Sequence, residues 1–334
     1  MISYIKTPST NKAKLDIDAL CDERGYKNIA IGNGSGKVGK FFQKLATAAM
    51  LPLRLRKGDV LLIQYPYKKY YRHLCRAAHW RGAKTITLIH DLGSFRRKKL
   101  TPAQEIKRLS DTDFIIVHNS SMRKWLTDQG CRVPMHDLDI FDYLSDAEPT
   151  GRYEMTAPNI ILYAGGLGPR KNKFLYDLDP LLGDCRLEIY GKGLEAGTAD
   201  KWTRMTYKGF VPSDRFITEA NGHWGLVWDG DSADECSGQW GDYLRFNNPH
   251  KASFYLRAGI PVIIWEKSAM APFITSNNLG IAVGSLRELD KRLNTMTSDK
   301  YATYRKAAAA ISDKLQKGVY FDLSMNAALE RLRH

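Results

Sequence analysis

The chain has no apolar run near the ~20 residues that a membrane-spanning helix requires; even Ile260 to Trp265 is far short of that length. Its first residues, Met1 to Lys14, are polar, with no apolar segment that would read as a signal peptide. Cysteine is sparse: Cys21, Cys75, Cys131, Cys185 and Cys236 are five in number, widely spaced and without a CxxC pair. An odd, scattered set argues against a disulfide framework or a zinc site and for a reducing cytoplasm. Disordered, collagen-like and coiled-coil compositions are absent too. What remains is a globular chain of 334 residues, 43% hydrophobic and 26% charged, a length that suits two domains.

Acidic residues are scarce in one half. Residues 1–150 hold 26 Lys+Arg against 15 Asp+Glu, whereas the remainder holds 24 against 21, so most of the net +14 lies in the first half. Between Arg54 and Lys99 there are 13 basic residues, and only Asp59 and Asp91 are acidic. Tyr65, Tyr67, Tyr70, Tyr71, Trp80 and Phe95 interleave with them. Such a face can meet nucleic acid or an anionic membrane, or stand as a solvated helix surface.

Short β-rich runs alternate with helical patterns throughout. The pattern predicts strands at 2–5, 28–32, 60–64, 85–90 and 114–118, with helices near 14–24, 38–50, 70–81, 103–109 and 121–129. A linker follows at 139–158. A second series predicts strands at 160–164, 187–190, 224–228, 261–265 and 281–283, helices near 214–220, 249–258 and 269–275, and helical sequence over 286–315 and 324–332. Apolar strands separated by helices imply parallel sheets covered on both faces. The expected architecture is therefore α/β: two doubly wound, Rossmann-like domains facing a cleft. The domains would span 1–150 and 157–316, with a helix at 317–334 packing back on the first.

Gly34-Ser-Gly36-Lys-Val-Gly39 spells GxGxxG and nearly a P-loop. Phe41 stands where the P-loop needs a magnesium-binding hydroxyl, and no acid ends the next strand to hold a ribose, so a flexible connection is the better reading. Tyr163-Ala-Gly-Gly-Leu-Gly-Pro-Arg170 is more informative: a strand runs into glycines and then bases that could hold a diphosphate. Similar loops follow at Tyr190-Gly191-Lys192-Gly193 and at Lys208-Gly209-Phe210-Val211-Pro212. In Asn247-Asn248-Pro249-His250-Lys251, Asn248 is expected to cap a helix whose first turn brings Lys251 beside its amides.

Gly225-Leu-Val-Trp-Asp229-Gly, Tyr243…Asn247-Asn-Pro-His-Lys251 and Ala258-Gly-Ile-Pro261-Val resemble bacterial glycosyltransferases of the galactofuranosyltransferase and glucosyltransferase type. The likeness is strong over 159–286 and weaker over the first half, through Leu88-Ile-His90-Asp91-Leu and Val117-His118-Asn119. It implies the GT-B fold and a UDP-hexose donor. Arg170 and Lys251 would hold the diphosphate, Tyr190 would line the same donor site, the backbone of Gly209 and Phe210 would face the uracil, and Asn247 and Asn248 would position phosphate or sugar. The segment before Ala258-Gly259 lacks the ribose-gripping glutamate of many retaining enzymes, which favours inversion.

Inversion needs a base for the acceptor hydroxyl. Asp91 is the first candidate and His90 the second; the alternative, that the pair orders the loop after its strand, stays open. His118 and Asn119 end a neighbouring strand and are candidates for acceptor contact, or for a structural role. No cofactor and no metal are expected; the Asp-x-Asp triplet Asp229-Gly-Asp231 reads as a strand-end loop. The expected partners are a UDP-sugar, a saccharide or lipid-linked saccharide, and an anionic membrane surface touched peripherally from the cytoplasm; self-association is left open. Two rivals remain: a basic nucleic-acid-binding protein, for which no recognition motif is present, and an inactive transferase-like partner subunit.

Overall fold

The computed structural model describes the chain except residues 7, 33, 35, 68, 69, 97, 98, 150–153, 155, 156 and 334. The basic-patch members Lys68, Lys69, Arg97 and Lys98 thus lie outside the described residues, as do Ser35 of the glycine-rich stretch and part of the expected linker. The chain divides into two compact units, one of Met1–Phe141 with Gly318–His334 and one of Asp142–Lys317.

The first unit alternates β1 (Ile2–Tyr4), α1 (Lys12–Glu23), β2 (Lys27–Asn28), α2 (Gly36–Arg54), β3 (Val60–Tyr65), α3 (Tyr71–Trp80), β4 (Lys84–Ile89), α4 (Gly93–Arg96), α5 (Pro102–Leu109), β5 (Phe114–Val117), α6 (Ser120–Asp128) and β6 (Met135–Asp137). Its six strands are parallel, in the order β2-β1-β3-β4-β5-β6. The central strands Leu-Leu-Ile, Thr-Leu-Ile and Phe-Ile-Ile-Val are buried on both faces, as a helix-covered parallel sheet demands. Local signals set the helix ends. Thr101 accepts from the Gln104 N–H and the Gln104 side chain answers at the Thr101 N–H, a capping box ahead of Pro102.

The second unit continues with β7 (Ile160–Gly166), α7 (Pro169–Asn172), β8 (Arg186–Lys192), β9 (Met205–Gly209), α8 (Ser213–Glu219), β10 (Trp224–Val227), α9 (Gly238–Tyr243), α10 (His250–Arg257), β11 (Val262–Trp265), α11 (Ala271–Ser276), β12 (Gly280–Val283), α12 (Leu289–Asn294) and α13 (Ser298–Gln316). Its parallel sheet runs β12-β11-β10-β7-β8-β9. The buried guanidinium of Arg257 anchors the entering chain, donating to the carbonyls of Ser145 (2.8 Å) and Ala147 (2.7 Å). The last helix, α14 (Val319–Arg333), belongs to the first unit: it packs on β5 and β6, and Asp322 accepts twice from the Arg24 guanidinium.

Several expectations need correction. The second strand is only Lys27–Asn28; the Asn28 carboxamide oxygen accepts from the Ala30 N–H at 2.9 Å, and that turn ends it. β6 and β9 are edge strands with mixed polar sequences, so neither gives the apolar run by which the others are read. Helix α10 begins at His250 with Pro249 at the N-cap and no side-chain cap bond. Asn248, expected there, is instead buried one residue earlier.

Candidate active site

In the second unit the sheet reverses its build direction between β7 and β10: β8 and β9 extend one side, β11 and β12 the other. Loops leaving adjacent strands at such a switch diverge, and ligands bind in the crevice at their carboxyl ends. A cavity of ≈ 530 Å³ opens there, lined by Gly165, Tyr190, Gly191, Phe210, Phe216 and Lys251, among others. That is within the roughly 300–1,000 Å³ of small-molecule sites.

Two glycines make the floor possible. Gly225 on β10 has no Cβ, and one there would fall 2.2 Å from the Tyr255 ring. Tyr255 can therefore pack against the sheet, where its hydroxyl accepts from the Ala164 N–H at 2.7 Å and fixes the end of β7. Gly165, at φ +155°, lets Lys251 pass beneath it; a Cβ would meet the lysine Cε at 3.1 Å. Lys251 ends in a polar cluster. Its ammonium donates to the Tyr163 hydroxyl at 2.5 Å and to Asp229 Oδ1 at 2.8 Å. The other Asp229 oxygen, Oδ2, pairs with Lys171 at 3.1 Å. Burial pulls the Lys251 ammonium down to about 8 against the opposing pull of Asp229. Burial alone would raise the Asp229 carboxyl, yet Lys251 and Lys171 hold it below the usual carboxylate range.

Above this floor the walls are aromatic. Phe210 is 58% exposed, and Lys192 Nζ sits 4.2 Å from its ring centroid. Tyr190 donates to Glu188 at 2.6 Å and meets Phe216 edge-on. Tyr143 stacks on His250 with centroids 4.9 Å apart. Of the residues expected at a donor site, Tyr190, Phe210 and Lys251 line the cavity, and Gly209, at φ +74°, sets the turn into Phe210. Arg170 is exposed on α7 and stands outside that lining; the next residue, Lys171, is the one that reaches Asp229. Asn247 and Asn248 also stand outside it. The Asn247 Oδ1 is buried without a hydrogen-bond partner.

In the first unit, His90 and Asp91 follow β4 as expected. His90 is buried, stacked on Phe141 at 5.4 Å, and its Nε2 lies 2.7 Å from Gln64 Oε1. Gln64 Nε2 in turn donates to Asp18 Oδ1 at 2.7 Å. Burial pushes the Asp18 carboxyl up to about 7 against Lys6 and Lys14. Burial also draws Lys14 down to about 8, opposed chiefly by Asp91. The loop after Asp91 is clamped by buried Glu105, which accepts from the N–H groups of Gly93 (2.7 Å) and Ser94 (2.8 Å) and from the Tyr65 hydroxyl (2.8 Å). Asp91 itself is half-buried.

His118 and Asn119 are engaged within their own unit. His118 is fully buried, bonded at Nε2 to the Ile89 carbonyl and edge-on to Phe141; burial pulls it down to about 4, so it is neutral. The Asn119 side chain caps α6 by accepting from the Met122 N–H at 3.0 Å. Both side chains are tied into the fold of this unit.

Two family models match in tandem: the N-terminal domain of glucosyltransferase 3-like proteins over residues 3–140 and the C-terminal domain of the same proteins over 161–328. The chain belongs to the glucosyltransferase 3-like family. It is 32% identical over 320 residues to the β-1,6-galactofuranosyltransferase WbbI of Escherichia coli (strain K12), covering 95% of this chain and 93% of the relative. It is 26% identical to glucosyltransferase 3 of Streptococcus gordonii, covering 79% of this chain and 77% of that one. Among solved structures, an E. coli one described as trehalose-6-phosphate bound with UDP-2-fluoro glucose superposes with a TM-score of 0.62 at 12% identity, over 98% of each chain. The apo form of WaaB, a lipopolysaccharide outer core galactosyltransferase, gives 0.59 at 12% identity, over 96% of this chain and 99% of that one. At such identities the likeness concerns the fold, which is GT-B.

Sequence reasoning about this family member missed four residues. Asp229 was legible as an acid but not as the partner of two lysines, because Lys171 and Lys251 reach it from distant helices. Gln64 and Asp18 lie on different elements from His90. Glu105 has the local signature of a helix first turn and gives no sign that its carboxylate faces inward.

Proposed function

We propose that this glycosyltransferase moves a hexose from a UDP-sugar to a saccharide hydroxyl with inversion and without a metal ion. The observation that carries the reading is the Lys251 ammonium at the floor of a cavity built at a sheet switch point, beneath glycine-rich backbone and beside exposed Phe210. A buried ammonium attracts a diphosphate far more strongly than an exposed one does, and an exposed aromatic at the rim offers a nucleobase a flat partner.

In the reaction the acceptor hydroxyl gives its proton to Asp91 as its oxygen bonds to the anomeric carbon. The bond from that carbon to the diphosphate oxygen breaks, and UDP departs with the electron pair. Lys251 and Lys171 meet the charge that develops on the leaving group, the part a metal ion plays elsewhere. Galactofuranose is the first candidate sugar, on the likeness to the E. coli enzyme, and glucose the second, on the likeness to the streptococcal one.

The first unit also carries a surface suited to an anionic bilayer. Helix α2 exposes Val38, Phe42, Leu45 and Leu53 along one stripe, opposite buried Thr47, Ala48 and Leu51, and Arg54, with Arg56 and Lys57 just beyond, is exposed at its C-terminal end. Among the described residues no helix is long and apolar enough to cross a membrane. A lipid-linked acceptor would be met at such a surface.

Titration calorimetry with UDP, ADP and GDP tests the donor reading. UDP should bind best, and Lys251→Ala should weaken it at least tenfold, whereas Arg170→Ala should have the smaller effect. Equal binding of all three nucleotides, or full affinity in the Lys251 variant, would remove it. Hydrolysis of a UDP-sugar without acceptor separates an active enzyme from an inactive partner subunit.

A further inference from the structure

An acid beside an anion site normally opposes the ligand, so Asp229 needs an explanation. It lies just after β10, buried, and both carboxylate oxygens are engaged: Oδ1 by Lys251 at 2.8 Å and Oδ2 by Lys171 at 3.1 Å. The two lysines differ. The Lys251 side chain is 14% exposed and pinned by Tyr163, while Lys171 on α7 is 34% exposed, near the Trp240 ring. One carboxylate thus balances two ammonium groups and leaves the cluster with one positive charge in excess.

We propose that Asp229 is the positioning residue of the donor site, holding Lys251 as a charged ammonium at the cavity floor, with Lys171 paired to the other side of the carboxylate, so that a diphosphate meets a charge already in place. Without Asp229 the buried Lys251 would shed its proton, because an isolated ammonium in such a place is costly. Lys171, the more exposed of the two, is free to turn from the carboxylate to an arriving phosphate while Lys251 stays fixed. The proposal rests on the UDP-sugar reading and adds to it the residue that keeps the site charged.

Several described titratable groups surround Lys251. Tyr163 comes from β7, Lys171 from α7, and Asp229 and Cys236 from the segment after β10; on its own helix His250 precedes it and Tyr255 lies one turn on. Burial keeps the Tyr163, Tyr255 and Cys236 protons in place well above their ordinary ranges. Lys171 pushes Lys251 towards the neutral form and Asp229 pulls it towards the charged one. Lys251 is down at about 8 even with Asp229 present, so UDP binding by the native protein should weaken as the pH rises through that value.

UDP affinity measured by calorimetry from pH 6.5 to 9 tests this in the native protein, Asp229→Asn and Lys171→Met. In Asp229→Asn the alkaline fall should move down by about one unit or more, giving roughly tenfold weaker binding at pH 8 and near-native binding at pH 6.5. In Lys171→Met binding weakens at every pH, but the fall moves up, because the competing ammonium is gone. The nucleotide's own titration is common to all three proteins. Equal or tighter binding by Asp229→Asn at pH 8, with the fall unmoved, overturns the proposal. Should that variant not fold, a fall in Lys171→Met that stays put or moves down overturns it instead. A native protein that binds UDP at no pH would mean that the donor reading itself has failed.

Discussion

Gln64 Oε1 lies 2.7 Å from His90 Nε2, and the amide nitrogen of the same side chain donates to Asp18 at 2.7 Å. With the nitrogen facing the carboxylate, the oxygen must accept from the imidazole, so His90 carries its proton on Nε2. One amide thereby fixes the tautomer of the residue next to the proposed base and ties β3 and the turn after β4 to α1.

That chain has a price in stability that depends on pH. The Asp18 carboxyl ionises at about 7 in the folded protein, against ~3.9 in an unfolded chain. The native state therefore holds a proton that the unfolded state has lost, and stability falls as the pH rises from about 4 to about 7. Asp18→Asn can still accept from Gln64 and removes this charge. Its melting temperature should exceed that of the native protein by a few degrees at pH 8, with the gap closing towards pH 4. A lower melting temperature at pH 8 would show that the charge itself stabilises the fold.

Asp91→Asn retains the shape of the side chain but cannot take a proton, so transfer should fall by about 10²–10⁴-fold. UDP affinity should hold, since Asp91 is not among the residues lining the donor cavity. His90→Ala should lower transfer less, because the buried ring acts through the placement of its neighbour. If His90→Ala proves the more damaging of the two at unchanged UDP affinity, the roles are reversed and His90 is the base.

Transfer should survive EDTA. Asp229, the strand-end acid of the Asp229-Gly-Asp231 triplet, already pairs with two lysines, whose charges repel a divalent ion. Loss of activity on chelation, restored by manganese or magnesium, would instead make these aspartates ligands.

The exposed stripe of α2 and its flanking bases should bring the protein down with anionic vesicles at low salt, and not with zwitterionic ones. Each base near such a surface contributes about 1 kcal/mol, and high salt should release the protein as screening shortens the attraction. Phe42→Glu and Leu53→Glu place carboxylates on the stripe and should abolish sedimentation while leaving UDP binding intact. Sedimentation unchanged in both variants would move the contact away from α2.

Part of the site was legible because its signals are local. Glycines after β7 and β8, and a lysine in the first turn of a helix, suggest a phosphate-sized site from sequence alone, and Lys251, Tyr190 and Phe210 do line one cavity. Arg170 and Lys171 could not be told apart, because a guanidinium beside glycines looks the same on paper as the neighbouring lysine. Only the direction of α7 decides that Lys171 points at Asp229. His118 and Asn119 left two readings open for a related reason: a polar pair at a strand end looks the same on paper whether or not the first packs against Phe141 and the second caps α6.

The sequence by itself determined the class of fold and the family. Alternating apolar strands and amphipathic helices leave little besides covered parallel sheets, and the motifs from Gly225 to Val262 are contiguous enough to read in one dimension. Tertiary structure decided which charges meet. Asp229 with Lys171 and Lys251, Asp18 with Gln64 and His90, and Glu105 with Gly93 and Ser94 all join residues from separate elements. Their pairing comes from strand order and helix packing, and their energetics from burial, which multiplies the strength of a charge contact and exists only once the chain is folded.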